Sequence, residues 1–277
     1  MGLENFTPEK WWAGIFVRLR ANAVYTPTVN RQYEGELSDS GSTVNISELE
    51  PIGVSSYTKN SDITWSNTVS YSKQLRVDQQ NYYARNLDSM DRLQANVNLQ
   101  NGIMDEAAWG MTKAQEEFIA ALYSGAGNSV TSATVTAANV LTNISNMQYE
   151  LDNANCPEEN RFFPIMPYYN QMLVQATTGV IGHTGVPKLF NDSVLVNGYV
   201  GNLFGFNLLK TTLVNHSSTV YQMMAYHGSA IAFVGQLFEA DIIKRESRFG
   251  VGMKALSVYG GKIIRPEAAV KCQVTTA

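Results

Sequence analysis

The residues able to do chemistry in this sequence are few and scattered. Histidine occurs three times, at His183, His216 and His227. A metal centre needs several imidazole, thiolate or carboxylate groups at short spacing. None of the three histidines has such a neighbour. A serine nucleophile needs a base beside it on a strand-turn-helix elbow; "YHGSA" sets Ser229 close to His227, but no G-x-S-x-G elbow surrounds it. The glycines of "GVIGHTG" and "GYVGNLFG" do not open a helix after a strand at the spacing that a phosphate-binding loop requires, and they read as loop glycines. In the charged stretch "KRESRF", strand alternation puts Lys244, Glu246 and Arg248 on one face and Arg245 on the other, as suits a solvated or ion-paired sheet face. Cys156 and Cys272 lie far apart and read as two unbridged thiols. The expectation is a chain that is not an enzyme, with no catalytic residue, metal ligand or cofactor.

Composition agrees. Of 277 residues, 44% are hydrophobic and 16% charged, a charged share below the roughly 25% usual in soluble proteins. Part of the surface is thus expected to face other subunits. The formal net charge of -4 argues against a protein whose task is gripping a phosphate backbone, because that affinity comes from dense Lys and Arg. The opening "MGLENFTPEKWWAGIFVRLR" lacks the unbroken apolar core of a signal peptide, and Phe6 stands where a myristoylation signal needs Ser or Thr. No run of about 18 apolar residues suggests a membrane span.

The elements that would position any site follow from periodicity. Thr7 caps a first helix with Pro8 at its first position, and Trp12, Ile15, Phe16 and Leu19 share one face. That face packs on its own domain or on a neighbouring subunit, or lies on a membrane surface, the last disfavoured by a polar face poor in Lys and Arg. From Tyr25 to about Arg85 come short strands, at Val44-Asn-Ile46, Ile63-Thr-Trp65 and Thr68-Val-Ser-Tyr71. With acidic residues and little apolar bulk, this stretch reads as a projecting hairpin in need of a partner surface. A helix is expected from about Asn86 to Tyr123, roughly 50 Å long, with Met104, Met111, Phe118 and Leu122 on its core stripe and Gly102 and Gly110 as places where it could bend. The remainder alternates: a helix over about 137–151, the strand "FFPIMP", the helix "YYNQMLVQA", the strands "LFGFNLLKT", "VYQMMAYH", "SAIAFVGQL" and "DIIKRESRF", and a closing pair within "MKALSVYGGKIIRPEA". Helices and strands interleave without a βαβ repeat, so the fold class is α+β.

This order resembles that of the major capsid proteins of tailed bacteriophages with the Hong Kong 97-type fold. The arm "TPEKWWAGIFVRL", the extended hairpin, the long helix, "FFPIMPYYNQML", "LFGFNLLKTTLV", "AYHGSAIAFVGQL" and the final "YGGKIIRPEA" carry the resemblance over nearly the whole chain. It implies a Hong Kong 97-like α+β fold divided into an N-terminal arm over 1–24, an extended E-loop-like hairpin and the start of a peripheral domain over 25–85, a spine helix over 86–125, an axial domain over 126–239, and C-terminal strands of the peripheral domain over 240–277. In those strands Gly260-Gly261 would allow a bend and Pro266 would end or edge the strand.

The implied function is a structural shell protein that self-assembles as pentamers and hexamers into an icosahedral head and encloses double-stranded DNA without reading its sequence. Scaffolding, portal and decoration proteins are the implied further partners, with no membrane and no cofactor. The virion shell, assembled in the host cytoplasm, is the implied location. Trp12, Phe16, Arg31, Glu34 and Glu36 are the expected intersubunit contacts. Three alternatives stay open: an encapsulin-type compartment enclosing enzyme cargo, a soluble enzyme with an unrecognised site, and a secreted adhesin or other virion component such as a tail or decoration protein, against which the long helix counts.

Overall fold

The computed structural model describes residues 21, 23–34, 43–49, 52–65, 67, 70–88, 99–178, 199–244 and 249–276. The first helix, with Trp12 and Phe16, lies outside the described residues, as do Glu36, His183 and Arg245–Arg248.

The largest element is a seven-stranded sheet in the order β4 (Asn128–Thr134), β12 (Ala269–Thr275), β9 (Val220–His227), β5 (Arg161–Ile165), β7 (Phe206–Lys210) and β6 (Tyr199–Leu203), with β8 (Asn215–Ser217) also paired to β9. The β12–β4 and β5–β7 pairs are parallel and the others antiparallel. The central strand β9 shows why the sheet forms. Alternate side chains point to opposite faces, and its apolar run serves both: Met223 and Ala225 enter one core, Met224 and Tyr226 the other. The first core is closed by helix α2 (Val140–Asn153), whose Val140, Ile144, Met147 and Leu151 sit at helical spacing and are fully buried, and by helix α3 (Pro167–Thr178) through Tyr169 and Leu173. The opposite core is closed by the segment Val24–Val29 and by Ile119 and Ala120 of the long helix α1 (Leu99–Ala121).

A second, three-stranded antiparallel sheet has β11 (Gly250–Ile263) between β10 (Ile231–Lys244) and β3 (Gln79–Asp88). A separate two-stranded ribbon pairs β1 (Thr43–Leu49) with β2 (Ser70–Arg76).

Several expectations are corrected. Asn86–Asp88 belong to β3, paired with Gly250–Gly252, rather than to the long helix. The described helix is continuous through Gly102 and Gly110, and its 23 residues span about 35 Å at the usual rise. Met104 is exposed rather than core, whereas Glu116 is completely buried. "LFGFNLLKT" is two strands, because Phe204 and Gly205 both take positive φ and make the tight two-residue turn between β6 and β7. "SAIAFVGQL" and "DIIK" form the single strand β10, which carries a bulge between Leu237 and Glu239.

The pairing of β11 with β10 is unbroken through Gly260 and Gly261, so neither glycine interrupts the strand. Gly260 serves close approach instead: a Cβ there would lie 2.1 Å from the Arg76 carbonyl oxygen. The strand ends at Ile263, before Pro266, which instead opens a short 3-10 turn over Pro266–Ala268. The division expected at 239/240 falls inside β10, and β12 is hydrogen-bonded into the seven-stranded sheet, where Val270, Cys272 and Val274 complete the core beneath α2 and α3.

Candidate functional site

Two places merit attention: the ribbon β1–β2 with its connection, and the groove where that ribbon meets the body. In the ribbon, Val44 and Leu75 turn inward onto Ala232, Val234 and Ile264, which makes a small third core. The Lys73 ammonium adds a polar tether. It donates to the Ile264 carbonyl at 2.8 Å and pairs with Glu48 at 2.6 Å. Hydrogen bonding and charge from Lys73 hold the Glu48 carboxyl below its usual range. Lys262 reaches the Gln74 carbonyl at 3.3 Å.

Beyond this root the chain departs from the expected strands. Residues 52–65 carry no regular strand; a turn at Thr58–Ser61 is closed by the Ser61 amide and hydroxyl donating to the Thr58 carbonyl. Along this connection Ile52 is 81% exposed, Val54 97%, Tyr57 68%, Ile63 59% and Trp65 87%. Five large apolar side chains are thus exposed along one connection, and exposed apolar surface that lies together marks a contact surface. The sequence reading placed its candidate contacts at Trp12, Phe16, Arg31, Glu34 and Glu36 and did not single out these five. The available signal was the run of large apolar residues in "PIGVSSYTKNSDITW" with no period to bury it.

Arg31 and Glu34 sit at the ribbon's foot and face each other. Arg31 Nε donates to Glu34 Oε1 at 2.7 Å, and the same oxygen accepts the Gly235 amide at 3.3 Å. Both carboxylate contacts are within the chain, so Glu34 braces the ribbon's entry to β10.

The groove is lined by Tyr33, Glu48, Asn160, His227, Ser229 and Arg265, among others. It contains the serine and histidine singled out by their spacing. Ser229 Oγ lies 2.7 Å from His227 Nδ1, and the Ser229 amide donates to the same nitrogen at 3.2 Å. The ring also makes a hydrogen bond to the Glu159 backbone. That geometry closes the turn between β9 and β10 around the imidazole. The Arg265 guanidinium donates to Ser229 Oγ at 3.4 Å. Burial first, then Arg265 and Arg161, push the His227 pKa down, so the ring is neutral at pH 7. Its orienting partner is a backbone group rather than the carboxylate of a nucleophilic triad. His216 packs at a tilt against Tyr221, with ring centroids 5.4 Å apart and ring planes at 38°.

Among the described residues no three His, Cys, Asp or Glu side chains gather as a metal site, and no helix is long and apolar enough to cross a membrane. Cys156 and Cys272 are both free thiols.

The sequence matches no protein-family model and no curated protein. Solved structures match it along nearly its full length. A structure from Mycobacterium phage Che8 superposes with a TM-score of 0.78 at 24% identity, covering 98% of each chain. The capsid structure of the cyanophage P-SCSP1u gives 0.80 at 14% identity over 100% of this chain and 95% of that one. The mature capsid of bacteriophage PhiM1 gives 0.72 at 11% identity, over 98% and 92%. From β1 to β12, then, the chain has the mixed helix and sheet architecture of these phage capsid proteins, the Hong Kong 97-like fold.

Proposed function

We propose that this chain is a structural shell protein of a tailed double-stranded DNA phage, assembling with copies of itself as pentamers and hexamers into an icosahedral head. The observation that carries the proposal is the pairing of that fold with the exposed apolar connection Ile52–Trp65 on a braced ribbon. A two-stranded ribbon that carries an exposed apolar connection is an aggregation hazard unless a partner covers it. In a shell the partner is the adjacent copy, and the same contact repeats until rotation closes the lattice. Trp12, Phe16, Arg31 and Glu36 are further candidate contacts, with Glu34 in a supporting role. Scaffolding, portal and decoration proteins would act on the assembling shell in the host cytoplasm. The interior encloses DNA without reading its sequence, in keeping with the net charge of -4. The role is mechanical, with no cofactor. An encapsulin-type compartment and a soluble enzyme draw no support from the likenesses above.

Electron microscopy with light scattering on the purified chain, alone and co-expressed with its genomic neighbours, tests the proposal. Closed shells of uniform diameter, or rings of five and six, are expected. A monomer or dimer under every condition refutes it.

A further inference from the structure

The segment Val24–Val29 has no sheet or helix to satisfy its backbone, yet Val24 and Tyr25 are almost completely buried against α1. A buried amide needs an acceptor. One side chain supplies it. Glu116, wholly buried on α1, accepts the Val24 and Tyr25 amides on Oε2 at 2.7 and 2.8 Å, and the Thr26 amide on Oε1 at 2.7 Å. The Thr26 hydroxyl donates to Oε1 as well. Three consecutive amides therefore converge on one carboxylate, a nest of the kind that binds anions.

The surrounding groups secure the segment on both sides. Tyr25 and Tyr226 lie close to the carboxylate, and burial pushes both phenols well above their usual range, so they remain neutral. Thr28 Oγ1 and the Tyr226 hydroxyl are 2.6 Å apart. Trp109 Nε1 donates to the Ala21 carbonyl at 3.4 Å, one step nearer the first twenty residues. On the other side the Asn30 amide donates to Ile231 and the Asn30 carbonyl accepts from Phe233, both at 3.0 Å, so the segment joins β10 by a short parallel bridge.

We propose that Glu116 is the anchor that fixes the segment Val24–Val29 against α1, so that the adjoining residues 30–34, with the candidate contact Arg31, are presented to a neighbouring copy in one position. The assembly half of this statement rests on the shell reading; the anchoring half does not. Glu116 is a positioning residue. The burial of a carboxylate among donors from a single segment is what distinguishes it from the apolar contacts of Ile119 and Ala120 on the same helix face.

Hydrogen exchange followed by mass spectrometry on unassembled wild-type, Glu116→Ala and Glu116→Gln chains tests the anchor. In Glu116→Ala, peptides covering 23–30 should exchange at least ~tenfold faster while α2 peptides keep their protection, as expected of a local opening. Glu116→Gln keeps one acceptor oxygen and turns an NH2 toward the other donors, so it should give a partial loss, and it serves as the readout if Glu116→Ala does not fold. Unchanged protection of 23–30 in a folded variant overturns the anchor, and so does loss of 23–30 and α2 protection together, which would mark Glu116 as general core. Assembly is then scored separately. Wild-type particles with a higher assembly threshold for the variants support the presentation role, and an equal threshold overturns it. If the wild-type chain forms no particles at all, the shell reading fails and the anchor is judged by exchange alone.

Discussion

Trp65→Ala separates folding from assembly. In the isolated chain Trp65 is 87% exposed on the connection of the β1–β2 ribbon, and exposed substitutions away from caps and cores shift stability by no more than about 0.5 kcal/mol. Thermal unfolding of the unassembled chain should therefore move by about 1–2 °C at most, since a chain of this size shifts by some 2–4 °C per kcal/mol. Assembly should respond very differently. A tryptophan buries roughly 150–250 Å², worth about 4–6 kcal/mol gross at ~25 cal/mol per Å². Ordering the connection and the imperfect pairing of polar groups consume part of this, leaving about 2–3 kcal/mol for an aromatic anchor at an interface centre. At ~1.4 kcal/mol per decade, the concentration at which shells first appear should rise roughly 30- to 100-fold. The assay is light scattering across a concentration series, with electron microscopy of the products. An unchanged threshold, with shells of unchanged diameter, would show that the exposed apolar connection is not the contact that holds neighbours together. A lowered melting temperature in the unassembled chain would refute the premise that the side chain is idle until assembly.

Other outcomes follow from the root and the core. Gly260→Ala puts a methyl 2.1 Å from the Arg76 carbonyl oxygen and 2.7 Å from Val77 Cα; β2 must shift, at a cost of about 1–3 kcal/mol, seen as a lowered melting temperature and faster exchange in residues 70–76, and wild-type behaviour would refute it. The Glu48 carboxyl is held low when folded, so the stability it adds is present above the ordinary carboxylate pKa and lost as pH falls through the folded value. Because both partners are substantially exposed, the loss should be only about 0.2–1 kcal/mol and should shrink in salt; Lys73→Met should abolish this part of the acid dependence in exchange of residues 43–49. Burial pushes the Cys272 thiol up to about 12, and burial raises Cys156 too against the opposing pull of Arg161. Alkylation at pH 8 should leave Cys272 unmodified until unfolding and modify Cys156 slowly; rapid labelling of Cys272 would contradict the packing beneath α2.

Local pattern made much of the fold legible. The helix over Val140–Asn153 follows from apolar residues at i, i+4, i+7 and i+11, and β9 from a short run rich in apolar side chains. Where the sequence misled, a distant partner had decided the outcome. Asn86–Asp88 continue a helical pattern on paper, but β11 offers a hydrogen-bonding edge that captures them as strand. Gly260-Gly261 looks like a bend, and nothing near it in sequence reveals that Arg76 passes too close for a Cβ. The Arg161 side chain, buried among the Cys156 and Pro157 carbonyls with Asp152 at 2.7 Å, is equally invisible to local pattern.

By itself the sequence determined the mixed class, the order of the elements and the scarcity of chemistry, because periodicity and residue type are local properties. Only the tertiary structure decided which apolar residues were spare. Burial is a contest among all side chains for the same interior, so Val44 and Leu75 find a core against β10 while Val54 and Trp65, on the connection between β1 and β2, find none. In the same way Glu116 gained its three amide donors only when the fold brought a segment about 90 residues earlier against it.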